Sequence, residues 1–470
     1  MGVRFVAWVA LAVAFPVSAQ DHVVTPGTLE GRPPAAAASP LQRLVDEAAA
    51  GATVRVLPGR YVGDLVIDKP VRLVGESRPV LVGSGSGSVV RVRADDVLVE
   101  GFDIDGRRGG DLGRDSSGVH VFALRATIRD CRIVDALFGV YLREAHGSAV
   151  ERCRIIGIPG RDPGEKGSGI HAYNTLGFRF IDNEVTDVRD GLYLQNSSQG
   201  VIRGNSVRDM RYGLHYMFSD DNTFEGNTFE NGDAGAAIMY SERIVFSRNR
   251  FLHNRGFASV GLLLQQCDDV RAEENFIGDN ARGIFLEGTI RNTFVRNIVA
   301  QSDIGVVMFD SADQTRFEGN LFVGNMAPLQ LIGRRTNAVF TGNYWSDNRE
   351  PDIDGDGYSE RPHRLSSVFD HFRGNLTAAD LFVDGFAAGA LSAAEQAFPI
   401  IQAQAVSDQR PLATAPSLDG VPRPEPRRGA AHRAGLAASG VALGAGLVDL
   451  SRGRRPGRSA ANRPAVARNP

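Results

Sequence analysis

Cysteine is almost missing from this 470-residue chain; Cys131, Cys153 and Cys267 are the only three. So few thiols exclude a disulfide framework for an exported protein. Strong net charge is missing too: the formal charge is -3, which argues against nucleic acid as the main partner. The last 50 residues hold ten arginines against only Glu425 and Asp449, so the remainder is more acidic than the total suggests. No apolar run reaches the ~20 residues of a spanning helix. Ala434 to Leu450 is too rich in glycine and alanine to serve as one. The chain is expected to have no transmembrane span and to reach a membrane through a partner. A helical period is also absent from the middle of the chain, which excludes helical repeats. The L-x-x-L-x-L pattern of leucine-rich horseshoes is absent as well.

What is present is a period. Asparagine returns at 183, 205, 227, 249, 275, 297, 320 and 343, in steps of 22, 22, 22, 26, 22, 23 and 23. Glycine followed by an apolar residue keeps the same beat at Gly169, Gly191, Gly213, Gly235, Gly261, Gly283 and Gly305. Each unit holds three short strand patterns, such as Gly191-Leu-Tyr-Leu, Val201-Ile202 and Ser206-Val207, separated by turns. The expected fold is all-β, a right-handed parallel β-helix of about 22 residues per three-strand coil. The asparagines are scaffold, pairing along a ladder as stacked amides do.

Both ends of such a solenoid expose strand edges and need covers. The expected organisation is a signal peptide over 1–19, a linker over 20–40, and the β-helix with an N-terminal capping helix over 41–365. A C-terminal helical cap or docking segment follows over 366–409, then a disordered Arg/Pro/Ala-rich tail over 410–470. Arg4, the apolar run Phe5 to Phe15 and Val17-Ser18-Ala19 carry the export reading. Cys131 and Cys153 fall in one column, ~4.8 Å apart by strand spacing. That distance permits a disulfide, but buried thiols filling asparagine positions are the preferred reading. Cys267 occupies a small-residue position held elsewhere by Ser197, Ser219 and Ser241.

Columns sort the side chains. One and three residues after each glycine the side chain points inward, as in Leu192/Leu194 and Leu214/Tyr216; two and four residues after, it points out. The first outward column reads His120, Tyr141, His171, Tyr193, His215, Ala237, Leu263, Phe285, Val307. The second reads Phe122, Arg143, Tyr173, Gln195, Met217, Met239, Gln265, Glu287, Phe309. One carboxylate, Glu287, stands on this face, whereas glycosidases need a pair. A sugar-cleaving site would have to use the acidic turn residues Asp220, Asp221, Glu242, Asp268 and Asp269, which also fit as solvated turns.

His215 and Met217 project ~6.6 Å apart from one surface, with Met239 one rung away. An imidazole with two thioethers suits Cu(I); methionines filling an apolar surface are the alternative. His120, His171 and His215 lie on alternate rungs, ~9.6 Å apart, too far to share one ion easily. Leu263, Phe285, Val307 and Phe309 extend an exposed apolar stripe fit for docking a protein. Leu381, Phe382 and Phe386 offer further anchors in the C-terminal segment. Asp352, Asp354 and Asp356 have the spacing of a calcium loop, with glycine at its sixth position, but His363 stands at the twelfth. An Asp-Gly turn closing the solenoid is the other reading.

Ser39 to Leu412 resembles the NosD family, periplasmic β-helical proteins of nitrous oxide reductase maturation. Gly191 to Asn196, Met210 to Asn222, and Gly342 to Asp347 with Asp352 to Tyr358 carry the resemblance. It implies a non-catalytic copper-binding accessory protein that takes copper from a membrane-anchored chaperone. It also implies work with an ABC-transporter membrane subunit and its ATPase, and help in assembling the copper-sulfur centre of nitrous oxide reductase. His215, Met217 and Met239 lie inside the matching segment. The runner-up is an exported carbohydrate-active β-helix: a lyase, hydrolase or epimerase.

Overall fold

The computed structural model describes residues 22–24, 39–256, 258–333, 336–365, 406–419 and 421. The expected signal peptide, most of the linker, residues 366–405 with Leu381, Phe382 and Phe386, and the chain beyond 421 lie outside the described residues.

The chain winds as a right-handed parallel β-solenoid of about 13 turns. Three walls of 16, 12 and 13 strands run along it, parallel throughout save for the last pair of the first wall. Each coil contributes one strand per wall, as Tyr212–Met217, Thr223–Glu225 and Thr228–Glu230 do. Alternation fixes what goes inside: Leu192, Leu194, Leu214, Tyr216, Leu262 and Leu264 are fully buried. Phenylalanines stack from rung to rung in the other walls, with Phe317 and Phe340 rings 4.6 Å apart and Phe322 and Trp345 4.1 Å apart.

The asparagine column is a continuous ladder. The backbone N–H and Nδ2 of Asn205 both donate to Oδ1 of Asn227, at 3.0 and 2.8 Å. The same pattern runs from Asn183 to Asn343. Each amide also donates to a backbone carbonyl, as Asn227 Nδ2 does to Ile202, so turn donors that would otherwise be buried unpaired are satisfied. Cys131 and Cys153 continue this column as free, buried thiols; the Cys153 N–H donates to Asn183 Oδ1. Cys267 is a free thiol too, and burial pushes its pKa up to about 12.

Both ends are covered. Helix Pro40–Glu47 begins at Ser39, whose hydroxyl accepts from the Gln42 N–H, and it buries Leu41 and Val45. The Gln42 side chain then pairs with both backbone polar groups of Val66. At the far end the outcome differs from expectation. Ser407–Asp408, expected at the close of a helical segment, is a strand, antiparallel to His363–Arg364 and beside Phe340. Residues 410–419, expected in the free tail, return over the last coils; Leu412 bridges Tyr344 and Tyr358. Leu418 and Val421 are buried against Ile298, Ala300 and Leu321. Ile298, Ala300 and Leu321 point out of the wall, and this apolar strip supplies the reason, since it would be exposed without the returning segment.

Candidate metal centre

The outer face of the 12-stranded wall carries the candidate residues. Register places His120 beside Tyr141, Tyr141 beside His171, His171 beside Tyr193, and Tyr193 beside His215. The rings form one column, with successive centroids 4.7, 4.3, 4.3 and 4.5 Å apart. Stacking encloses groups that alternation alone leaves outside: His120 is 4 % exposed. Neither ring nitrogen of His171 has a partner, nor does Nε2 of His120. Burial lowers the pKa of both imidazoles to about 3, helped at His120 by the charges of Arg143 and Arg91. Both rings are therefore neutral at neutral pH.

His215 ends the column under different conditions. Its Nδ1 lies 3.1 Å from the Asp190 carboxylate, which Arg211 also grips through Nε at 3.0 Å and Nη2 at 2.8 Å. The Asp190 side chain is 4 % exposed. Its burial pulls the pKa up, but the His215 hydrogen bond and the Arg211 guanidinium outweigh that and hold it below the usual range. A carboxylate on Nδ1 fixes the tautomer and leaves Nε2 as the free ligand atom. Met217 and Met239 are direct register partners on adjacent strands, and His215 sits two residues before Met217. All three side chains are half-buried on the same wall, and Tyr216 between His215 and Met217 is fully buried inside. One imidazole nitrogen and two thioether sulfurs make a soft, uncharged donor set, chemistry that fits Cu(I) and does not fit oxygen-seeking cations.

Residues 154–352 match the family described as periplasmic copper-binding protein (NosD), and residues 83–219 match a right-handed β-helix region. The chain is 32% identical over 383 residues to a probable ABC transporter binding protein NosD from Stutzerimonas stutzeri, covering 77% of this chain and 87% of that one. It is 32% identical over 385 residues to the protein of the same name from Pseudomonas aeruginosa, covering 78% and 89%. The chain belongs to the NosD family. Among solved structures, the AlgE6 mannuronan C-5 epimerase A-module of Azotobacter vinelandii aligns at TM-score 0.43 and 16% identity, over 64% of this chain and 87% of that one. A family 28 exopolygalacturonase of Yersinia enterocolitica aligns at 0.44 and 11%, over 65% and 75%. NosD is described as periplasmic, and among the described residues no helix is long and apolar enough to cross a membrane.

In this NosD protein the apolar stripe is less open than its column suggested. Val307 is 1 % exposed, enclosed with Ile304 and Ala327 beneath Phe285, Phe309 and Ile332. Leu263, Phe285 and Phe309 are half-buried. Alternation gives the direction of a side chain, not how far larger neighbours on adjacent rungs cover it. The exposed aromatics lie elsewhere. Phe218 and Tyr240, each directly after a candidate methionine, stack at 5.0 Å and are 52 % and 43 % exposed. Both sit at positive φ, 51° and 54°, a strained conformation for an aromatic residue.

The acidic turn residues have structural partners. Arg243 Nε donates to Asp221 at 2.7 Å and Arg291 Nη2 to Asp269 at 2.7 Å, across neighbouring rungs. Asp220 and Asp268 accept backbone N–H bonds from Glu242 and Ile290. Asp352, Asp354 and Asp356 do converge, their carboxylate oxygens within 4.8 Å of one another. Asp352 accepts from the N–H groups of Gly355 and Gly357, and Arg410 Nη2 donates to Asp356 at 2.9 Å. Glu360 accepts from the Ile353 and Asp354 N–H groups. The loop is thus held by its own turns and by the returning C-terminal segment.

Proposed function

We propose that this NosD protein is a non-catalytic, exported copper-binding accessory protein. It accepts copper from a membrane-anchored chaperone and, with an ABC-transporter membrane subunit and its ATPase, supports assembly of the copper-sulfur centre of nitrous oxide reductase. Copper is cargo in this reading. His215 Nε2 and the sulfurs of Met217 and Met239 receive it, and Asp190 holds the imidazole in place. Support comes from the family membership and from one structural observation: the register that sets Met217 beside Met239 on the rungs where His215 is anchored by Asp190. The stacked Phe218–Tyr240 pair beside the sulfurs offers a delivering protein an aromatic contact, with Leu263, Phe285 and Phe309 extending the wall.

The test is competition for Cu(I) against a chromophoric chelator. The full chain is expected to withdraw one equivalent, and a Met217→Leu, Met239→Leu double variant is expected to withdraw none. Unchanged stoichiometry and affinity in the double variant removes these residues from the reading. Calcium at Asp352, Asp354 and Asp356 is a subsidiary reading in which the ion would brace the C-terminal cap. Chelation by EGTA is then expected to lower the unfolding midpoint, and an unaltered midpoint leaves an Asp-Gly turn.

A further inference from the structure

Toward the N-terminal end of the same wall lies a cleft of about 620 Å3 lined by Arg91, Arg93, Arg114 and Arg143. Asp115 is the single carboxylate among its lining residues. Elsewhere on the solenoid, arginines are drawn into hydrogen-bonded pairs from rung to rung: Arg125 to Asp96 at 2.7 Å, Arg152 to Asp130 at 2.8 Å. The cleft arginines are not. Arg143 is 4.0 Å from Asp115, Arg93 is 3.9 Å from Asp68 and Arg114 is 3.7 Å from Asp111. Among the described residues Arg91 has no carboxylate within salt-bridge distance.

Two further features point to a ligand. His120 pairs in register with Arg91 and lines the cleft. It is 96 % buried by its 4 % exposure, and its Nε2 has no partner. Such an atom carries an unmade hydrogen bond. Phe122, 42 % exposed, stacks on His120 with centroids 3.9 Å apart and offers a flat apolar surface at the same place.

We infer that this cleft binds an oxyanion-bearing ligand, phosphate or carboxylate, with the charged group on Arg91 and Arg143 and a flat ring over Phe122. Guanidinium forks match oxyanions in bidentate geometry, and four arginines line the cleft against one lining carboxylate, Asp115, with Asp68 and Asp111 meeting Arg93 and Arg114 only at 3.9 and 3.7 Å. The site is four rungs from His215, ~19 Å along the wall, so it stands apart from the copper reading.

Isothermal titration of the full chain with phenyl phosphate and with inorganic phosphate tests it, alongside flotation with phosphatidylglycerol vesicles. Wild type is expected to bind phenyl phosphate more tightly than phosphate, and added salt should weaken both. Arg91→Gln with Arg143→Gln is expected to weaken binding by ~10-fold or more. Phe122→Ala is expected to erase the preference for the phenyl compound. Vesicle binding that the arginine variant loses, without binding of the free probes, assigns the oxyanion to a lipid headgroup. Equal binding by wild type and the arginine variant, with both unfolding at the same midpoint, overturns the inference. Failure of wild type to bind any of the three probes overturns it as well.

Discussion

Lowering the pH from about 7 to 5 should destabilise this protein through two histidines that never meet a hydrogen-bond partner on their buried nitrogens. In the unfolded chain His120 and His171 titrate at the ordinary value of 6.5; in the folded chain they stay neutral down to about 3. Below 6.5 the unfolded state therefore takes up protons that the native state refuses. The stability they allow is complete above pH 6.5 and is lost as the pH falls toward 3. Between pH 7 and 5 each costs about 2 kcal/mol, or ~4 kcal/mol together. Asp190, Asp130 and Asp221 are held below the usual carboxylate range, so their contributions fade further down and leave this window to the imidazoles. Urea unfolding at the two pH values is the measurement. His171→Phe keeps a stacking ring and removes one titrating group, so about half of the pH-dependent loss should vanish. A variant that loses as much stability as wild type on acidification refutes the argument that the enclosed ring column causes it.

Asp190→Asn should weaken Cu(I) binding by about ten-fold, because a carboxylate that orients a ligating imidazole typically contributes that much; chelator competition reads it, and an unchanged affinity excludes His215 as a ligand held this way. Asp408→Ala removes the oxygen that accepts from the Asn343 N–H, its Nδ2 and Trp345 Nε1; three buried donors left unpaired should cost ~3 kcal/mol locally. A red shift and loss of order at Trp345 by fluorescence, with the central coils still protected in hydrogen exchange, is the expected result. All three thiols are buried and unbridged, so the native protein should resist an aromatic disulfide reagent and the denatured protein should release three equivalents without prior reduction. A lower count after denaturation would reveal a Cys131–Cys153 bridge.

The period made most of the scaffold legible. A residue count of 22 fixes which side chains are neighbours, because a parallel solenoid repeats its register at every turn. That is why the adjacency of Met217 with Met239 and of Tyr193 with His215 could be read directly, and why the asparagine ladder was recognisable as scaffold. What the period does not reach stayed hidden. Asp408 completes the ladder from 65 residues beyond Asn343, in a segment without repeats. Burial at Val307 is beyond the period's reach, because periodicity says which wall a side chain faces, while cover depends on the size of Phe285 and Phe309 beside it.

Asp190 had a signal that the outward columns did not include. It occupies the position before Gly191, where register partners are Ser168, Tyr212 and, further on, Ala234 and Val260. Asp190 is the single carboxylate among the described residues of that column, which two rungs beyond Ala234 also holds Arg282. In a fold whose rungs share one geometry, chemistry has to come from a place where the columns change identity. Here three changes coincide. The ring column stops at His215 and gives way to Ala237, so the last imidazole is stacked on Tyr193 alone within its column. The neighbouring column turns from Gln195 to two methionines over the same rungs and back to Gln265. The column behind supplies its aspartate one rung earlier, within reach of Nδ1. Any one of these changes is an ordinary surface substitution; together they set two methionines, one imidazole and its carboxylate anchor on adjacent rungs of one wall.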